Sequence, residues 1–170
     1  MIKYIGLLLM FLTSAGMGFL LSDRLNKRLK NLEIVLIFLD RLKTCLVYQN
    51  FPTKEIIDFL AEDSFCKSLP FITVCQELLK KQNNFPSAWK KAVQQTKGQM
   101  NLTEADLSPI FSLSDIIGSA DVEHQISALL MTEELLKRQR EEAEEAKRKK
   151  GRLYRSLGAL AGVGMVIILI

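Results

Sequence analysis

Apolar positions along this chain fall into three patterns, and each predicts a different kind of helix. The first is a continuous apolar run. Tyr4 to Leu21 (YIGLLLMFLTSAGMGFLL) carries no charge, and Leu157 to Ile170 (LGALAGVGMVIILI) has the same character. A membrane-spanning helix needs roughly 20 mostly apolar residues, because the hydrocarbon core is about 30 Å thick. The two runs therefore predict a transmembrane helix at each end, over 1–21 and 153–170. Lys3, Arg24, Arg152 and Arg155 can snorkel, and Tyr154 stands at an interfacial position. A cleavable signal peptide is disfavoured, since the apolar run continues past Ser14-Ala15-Gly16 and stops at Arg24, Lys27, Arg28 and Lys30.

The second pattern is the alternating step of three and four residues that marks one face of a helix. Leu25, Leu29, Leu32, Leu36, Leu39, Leu42 and Leu46 follow it, with no Pro or Gly from Leu20 to Phe51, so the first helix is expected to run on to about Tyr48. Ile34–Leu39 is apolar on every side and predicts burial by several neighbours. Shorter helices follow. One opens at Phe51-Pro52-Thr53 and runs to about Ala61. A second opens at Leu69-Pro70 and runs to Lys80 or Lys81, with Asn83-Asn84 breaking it. A third opens at Phe85-Pro86-Ser87 and ends at Gly98. A fourth is capped by Thr103, with Glu104 and Asp106 in its first turn, and closes at Gly118. Asn50-Phe51-Pro52-Thr53 recurs as Asn84-Phe85-Pro86-Ser87, which reads as shared helix-start chemistry rather than a repeat array.

The third pattern is helical but polar. Ser119 can cap a last helix that nothing breaks until Gly151, with Ile126, Leu129, Leu130, Leu135 and Leu136 as its apolar stripe. The stripe then stops, and KRQREEAEEAKRKK over 137–150 holds only two Ala as apolar residues. Charge pairs four apart, such as Lys137–Glu141, Arg138–Glu142, Arg140–Glu144, Glu144–Arg148 and Glu145–Lys149, predict a solvated charged stalk roughly 20 Å long. The expected fold is thus all-α. It is a compact bundle of about five or six helices over 22–152, with a long charged C-terminal stalk helix and a transmembrane helix at each end. No strand pattern survives.

Charge sharpens this division. Residues 1–30 carry five Lys/Arg and one Asp, residues 31–136 nine Lys/Arg and fourteen Asp/Glu, and residues 137–170 nine Lys/Arg and four Glu. The basic balance belongs to the two ends and the middle is acidic, the reverse of a nucleic-acid-binding domain. Positive-inside bias places 22–152 in the cytoplasm. Cys45, Cys66 and Cys75 lack CxxC spacing and sit among apolar neighbours, so they read as small core residues in a reducing compartment rather than as a disulfide or zinc set.

Catalytic chemistry is sparse. No phosphate loop and no metal-ligand spacing occurs, and no cofactor is implied. Asp121 and the single His124 share a helix face and could make an acid/base pair, but a polar face beside a turn is the simpler reading. Trp89 is read as core in preference to an interface anchor. Gly158 and Gly162, four apart, are the small-residue spacing that lets two helices approach closely in a membrane.

Two segments resemble a known family. Leu113 to Gln125 (LSDIIGSADVEHQ), with Asp115, Gly118 and Gln125 at the motif positions, is similar to a segment of stage III sporulation protein AB, and Gly151 to Gly162 (GRLYRSLGALAG) is similar to that family's ending. The resemblance implies a role in endospore-forming Firmicutes, in the mother-cell membrane around the forespore, within a multi-protein channel complex. It implies a soluble part similar to the cytoplasmic helical domains of type II secretion and type IV pilus inner-membrane platform proteins. It also implies a partner, the family's own cytoplasmic secretion-type ATPase, stage III sporulation protein AA. The chain is shorter than true platform proteins, which have duplicated domains. The expected function is a non-enzymatic membrane platform component that couples the ATPase to membrane partners of the channel and can self-associate. The alternative is a passive membrane scaffold that recruits channel subunits without ATPase coupling.

Overall fold

The structure is a computed structural model that describes residues 2–48, 52–81, 84–118 and 121–169; the side chains of 2–12, 14–15, 48, 155, 158–159, 162–163 and 165–169 lie outside the description. The described chain is all-helical. Its helices are α1 (Ile2–Tyr48), α2 (Thr53–Glu62), α3 (Pro70–Lys81), α4 (Phe85–Met100), α5 (Glu104–Ser112) and α6 (Val122–Leu169), with 3-10 turns at Cys66–Ser68 and Leu113–Asp115. The chain divides into two compact units. One is Met1–Leu29 with Glu142–Ile170, and the other is Lys30–Glu141.

The Lys30–Glu141 unit has its core where α1, α3 and α4 meet. Phe38, Phe71 and Trp89 are fully buried. Their ring centroids lie 5.4 Å (Phe38–Phe71), 5.3 Å (Phe71–Trp89) and 5.9 Å (Phe38–Trp89) apart, the edge-on and tilted arrangements that aromatic quadrupoles favour. The Trp89 indole N–H donates to the Ile110 carbonyl at 2.8 Å, so its polar handle is satisfied and α5 is tied to the same centre. Trp89 is core. Cys45, Cys66 and Cys75 are free thiols and buried, as expected of small core residues. Burial pushes the thiols of Cys66 and Cys75 up to about 12.

Helix starts follow the chemistry of their caps. Asn84 accepts the Ser87 N–H at 3.1 Å, with Pro86 in the first turn. Thr103 accepts from Asp106 N–H at 3.3 Å while the Asp106 carboxylate accepts from Thr103 N–H at 2.8 Å, a reciprocal capping box. Pro52 occupies the cap position of α2, whereas the other Pro lies inside α4, so the two Asn-Phe-Pro segments do not start their helices at equivalent points. Asn50 and Phe51, the break at Asn83 and the cap at Ser119 lie outside the described residues. At the start of α6 it is Asp121 whose carboxylate accepts the His124 N–H, at 2.8 Å.

Several expectations are corrected. No helix is long and apolar enough to cross a membrane among the described residues, so the transmembrane helix expected at each end does not stand. From Thr13 to Leu21 the described side chains are Thr13 and 16–21, after which Ser22, Asp23 and Arg24 turn the helix polar. The remaining side chains of the first run, and those of the second apart from Leu157, Leu160, Ala161 and Gly164, lie outside the described ones. The charged segment 137–150 is not a fully solvated stalk, because Ala143 is 1% exposed and Arg140 pairs with Glu33 of α1 at 3.3 Å. Of the expected pairs Glu145–Lys149 forms, while Lys137 and Arg138 pair with residues before the segment. Lys137 and Arg138 reach back to Glu133 at 2.7 Å and Glu134 at 3.5 Å, as Lys149 does to Glu145 at 2.8 Å, the Glu-before-Lys order that suits the helix dipole. Ile37 is 39% exposed, so Ile34–Leu39 is not buried on every side. Helix α4 runs through Gly98 and ends at Asn101, whose φ of 50° supplies the left-handed cap.

Candidate functional site

The motif residues Asp115, Gly118 and Gln125 come together at the corner between α5 and α6, within the Lys30–Glu141 unit. Asp115 ends the 3-10 turn and accepts from Lys90 Nζ of α4 at 2.7 Å. The Lys90 ammonium also lies 5.5 Å from the centre of the Phe111 ring. Gly118 has φ +81°, and its N–H donates to Gln125 Oε1 at 3.2 Å. A Cβ on Gly118 would lie 2.6 Å from Thr53 Oγ1 at the start of α2. Gln125 is buried. The motif is thus a clasp: a glycine that must turn left-handed against α2, a glutamine that holds its N–H, and a carboxylate that anchors the turn to α4. Its residues are structural, and the signal for that role was the glycine itself.

His124 and Asp121 lie beside this corner. The His124 Nδ1 is 2.8 Å from each Asp121 oxygen, but both side chains are largely exposed. The His124 backbone N–H and ring hold the Asp121 carboxyl below its ordinary range. Such a pair at a helix start is a capping arrangement whose side chains face solvent. Among the described residues no group of three or more His, Cys, Asp or Glu side chains gathers to hold a metal ion.

What the unit does offer is surface for association. A groove of about 620 Å³ between α1 and α2 is lined by Leu36, Ile37, Asp40, Arg41, Thr44 and Phe59, among others. Phe59 is 48% exposed at this groove. Arg41 pairs with Asp63 at 2.7 Å and stacks its guanidinium 5.7 Å from the Phe65 ring centre. Burial opposes the Asp63 charge. The N–H groups of Cys66 (3.2 Å) and Phe65 (2.9 Å), with Arg41, outweigh it and hold the carboxyl below its ordinary range. A smaller groove of about 290 Å³ between α4 and α5 has Lys97 and Glu104 paired at its edge and Phe111 in its wall.

On α6, Leu130, Met131 and Leu135 are exposed although Leu129 and Leu136 are buried. Reading 126–136 as one apolar stripe missed this, and the step from Leu129 to Leu130 was the available signal, since adjacent residues cannot share a narrow face. Between these faces Lys43 stands 3.1 Å from Asp40 and 3.5 Å from Glu133. The Lys137 hydrogen bond, with Lys43 adding to it against burial, lowers the Glu133 carboxyl. Gly158 and Gly162 are helical, but their surroundings lie outside the described side chains.

Comparison with curated proteins and with solved structures finds no match. The family model of stage III sporulation protein AB matches residues 3–170, and the chain belongs to that family of sporulation proteins.

Proposed function

We propose that this sporulation protein is a non-enzymatic platform component of a secretion-like channel complex. It would work at the mother-cell membrane around the forespore and couple a cytoplasmic secretion-type ATPase, stage III sporulation protein AA, to the membrane partners of the channel. One observation carries this reading. Helices α1 and α6 run unbroken for 47 and 48 residues, and each contributes to both compact units. A continuous hydrogen-bonded helix carries a tilt along its own length. The exposed aromatic and aliphatic side chains on α1, α2 and α6 are the kind of surface such a component offers to partners.

The test is insertion of Gly-Gly beside Ala143, which interrupts α6 where the units divide. The full-length variant is expected to fold, to retain the ATPase in pull-down, and to fail to support sporulation. Normal sporulation by a folded variant overturns rigid coupling. If wild-type chain never retains the ATPase, with or without nucleotide, the passive scaffold is the better description.

A further inference from the structure

A second feature lies in the other unit, where α1 and α6 face each other around Ser22 and Gly151. Both residues are buried, and a Cβ on Gly151 would lie 3.5 Å from Ser22 Oγ. Beside this approach is a groove of about 470 Å³ whose polar wall is formed by Asn26 of α1 and Glu144, Lys147, Arg148 and Arg152 of α6. Three cations therefore face one carboxylate. Two other basic residues of this unit are matched: Lys27 pairs with Asp23 at 2.7 Å and Lys149 with Glu145 at 2.8 Å. Among the described residues no carboxylate lies within ion-pair distance of Lys147, Arg148 or Arg152.

We propose that this groove binds the phosphate of an anionic phospholipid. Arg148 and Arg152 are four apart and so share a helix face, and two guanidinium forks with an ammonium and an amide are donors suited to a phosphodiester. The flanks decide what carries that phosphate. Apolar positions begin at once on both helices: Leu21 precedes Ser22 and Leu153 follows Arg152. Phe19, Leu20, Leu157 and Leu160 are each more than half exposed. A nucleic acid or free phosphate leaves these side chains in water, whereas the acyl chains below a headgroup cover them. The site deepens the membrane placement proposed above and does not depend on the ATPase.

The experiment uses the full-length protein with vesicles of phosphatidylcholine alone or mixed with phosphatidylglycerol, read by flotation. Wild type is expected to prefer the anionic vesicles, with binding that weakens as salt rises. Combining Lys147→Gln, Arg148→Gln and Arg152→Gln should reduce that affinity by about a hundredfold, from roughly tenfold or less per basic residue at an anionic surface. Weak binding to phosphatidylcholine should stay unchanged. Arg148→Gln alone gives a smaller loss should the triple variant fail to fold. Lys80→Gln with Lys81→Gln, in the other unit, should bind as wild type. If the triple variant floats like wild type, or the Lys80/Lys81 variant loses as much, the groove is not the site although membrane placement stands. If millimolar inorganic phosphate displaces the protein as well as lipid does, the ligand is a free anion. If wild type binds neither vesicle, both the site and the membrane placement fall.

Discussion

Two glycines with opposite environments show what a single residue does here. Gly118 sits at φ +81° with Thr53 Oγ1 where its Cβ would be, 2.6 Å away. Gly118→Ala is expected to cost about 1–3 kcal/mol, from the left-handed backbone and the clash together. Denaturant unfolding measures it, and in the background of Thr53→Ala the cost should fall, because only the backbone part remains. Equal costs in both backgrounds would show that the contact with α2 is irrelevant. The importance of Gly118 could be read from its place in the motif, but the partner that crowds it, from a helix 65 positions earlier in the chain, could not.

Asp63 gives a second test at this scale. Its carboxyl is lower in the folded chain than the ordinary 3.8, so the folded state binds fewer protons than the unfolded state. Its contribution is therefore full above about 3.8 and fades as pH falls through the folded value. Asp63→Ala should destabilise by about 2 kcal/mol at pH 7, the size of hydrogen bonds to a charged group. Urea unfolding should show the gap from wild type narrowing as pH falls below about 3.8. A gap that persists unchanged in acid contradicts the assignment.

At the scale of elements, the helices were legible because caps and breaks are local. Thr103, Asn84 and Pro70 mark their helix starts. The ends were harder. Gly98 reads as a stop, yet α4 passes through it to Met100 because nothing in its surroundings opposes helix there, and Asn101 takes the left-handed turn instead. Gly151 likewise reads as a break and lies inside α6. A glycine that is not a cap in a helix only adds unfolded-state freedom. Gly98→Ala, whose Cβ meets nothing within 4 Å, is thus expected to raise stability by about 0.5–1 kcal/mol, opposite in sign to Gly118→Ala. A loss of stability would mean that α4 does end near Gly98. Pairing across elements was not legible at all. Arg140–Glu33 and Lys43–Glu133 join α6 to α1 across about 100 positions, and no pattern within either helix announces them.

For the whole molecule, the uneven charge was visible as a tally by segment, and helices α1 and α6 carry the basic segments into one compact unit. The apolar end segments invited a stronger conclusion than the described helices support, none of which is long and apolar enough to cross a membrane. The aromatic centre of the Lys30–Glu141 unit is different in kind. Phe38, Phe71 and Trp89 come from three helices, so only folding assembles them. All the buried thiols and the indole hydrogen bond lie within the same unit. It follows that residues 30–141 alone should fold. Urea unfolding followed by Trp89 fluorescence and by far-ultraviolet dichroism is expected to give one coincident transition, with a slope of about 1–3 kcal/mol per molar. Cys45, Cys66 and Cys75 should resist a thiol reagent until that same transition, since burial keeps them protonated and out of reach. Transitions that separate between probes, or thiols that react before the indole is exposed, would show that this core needs the remaining segments of α1 and α6 to form.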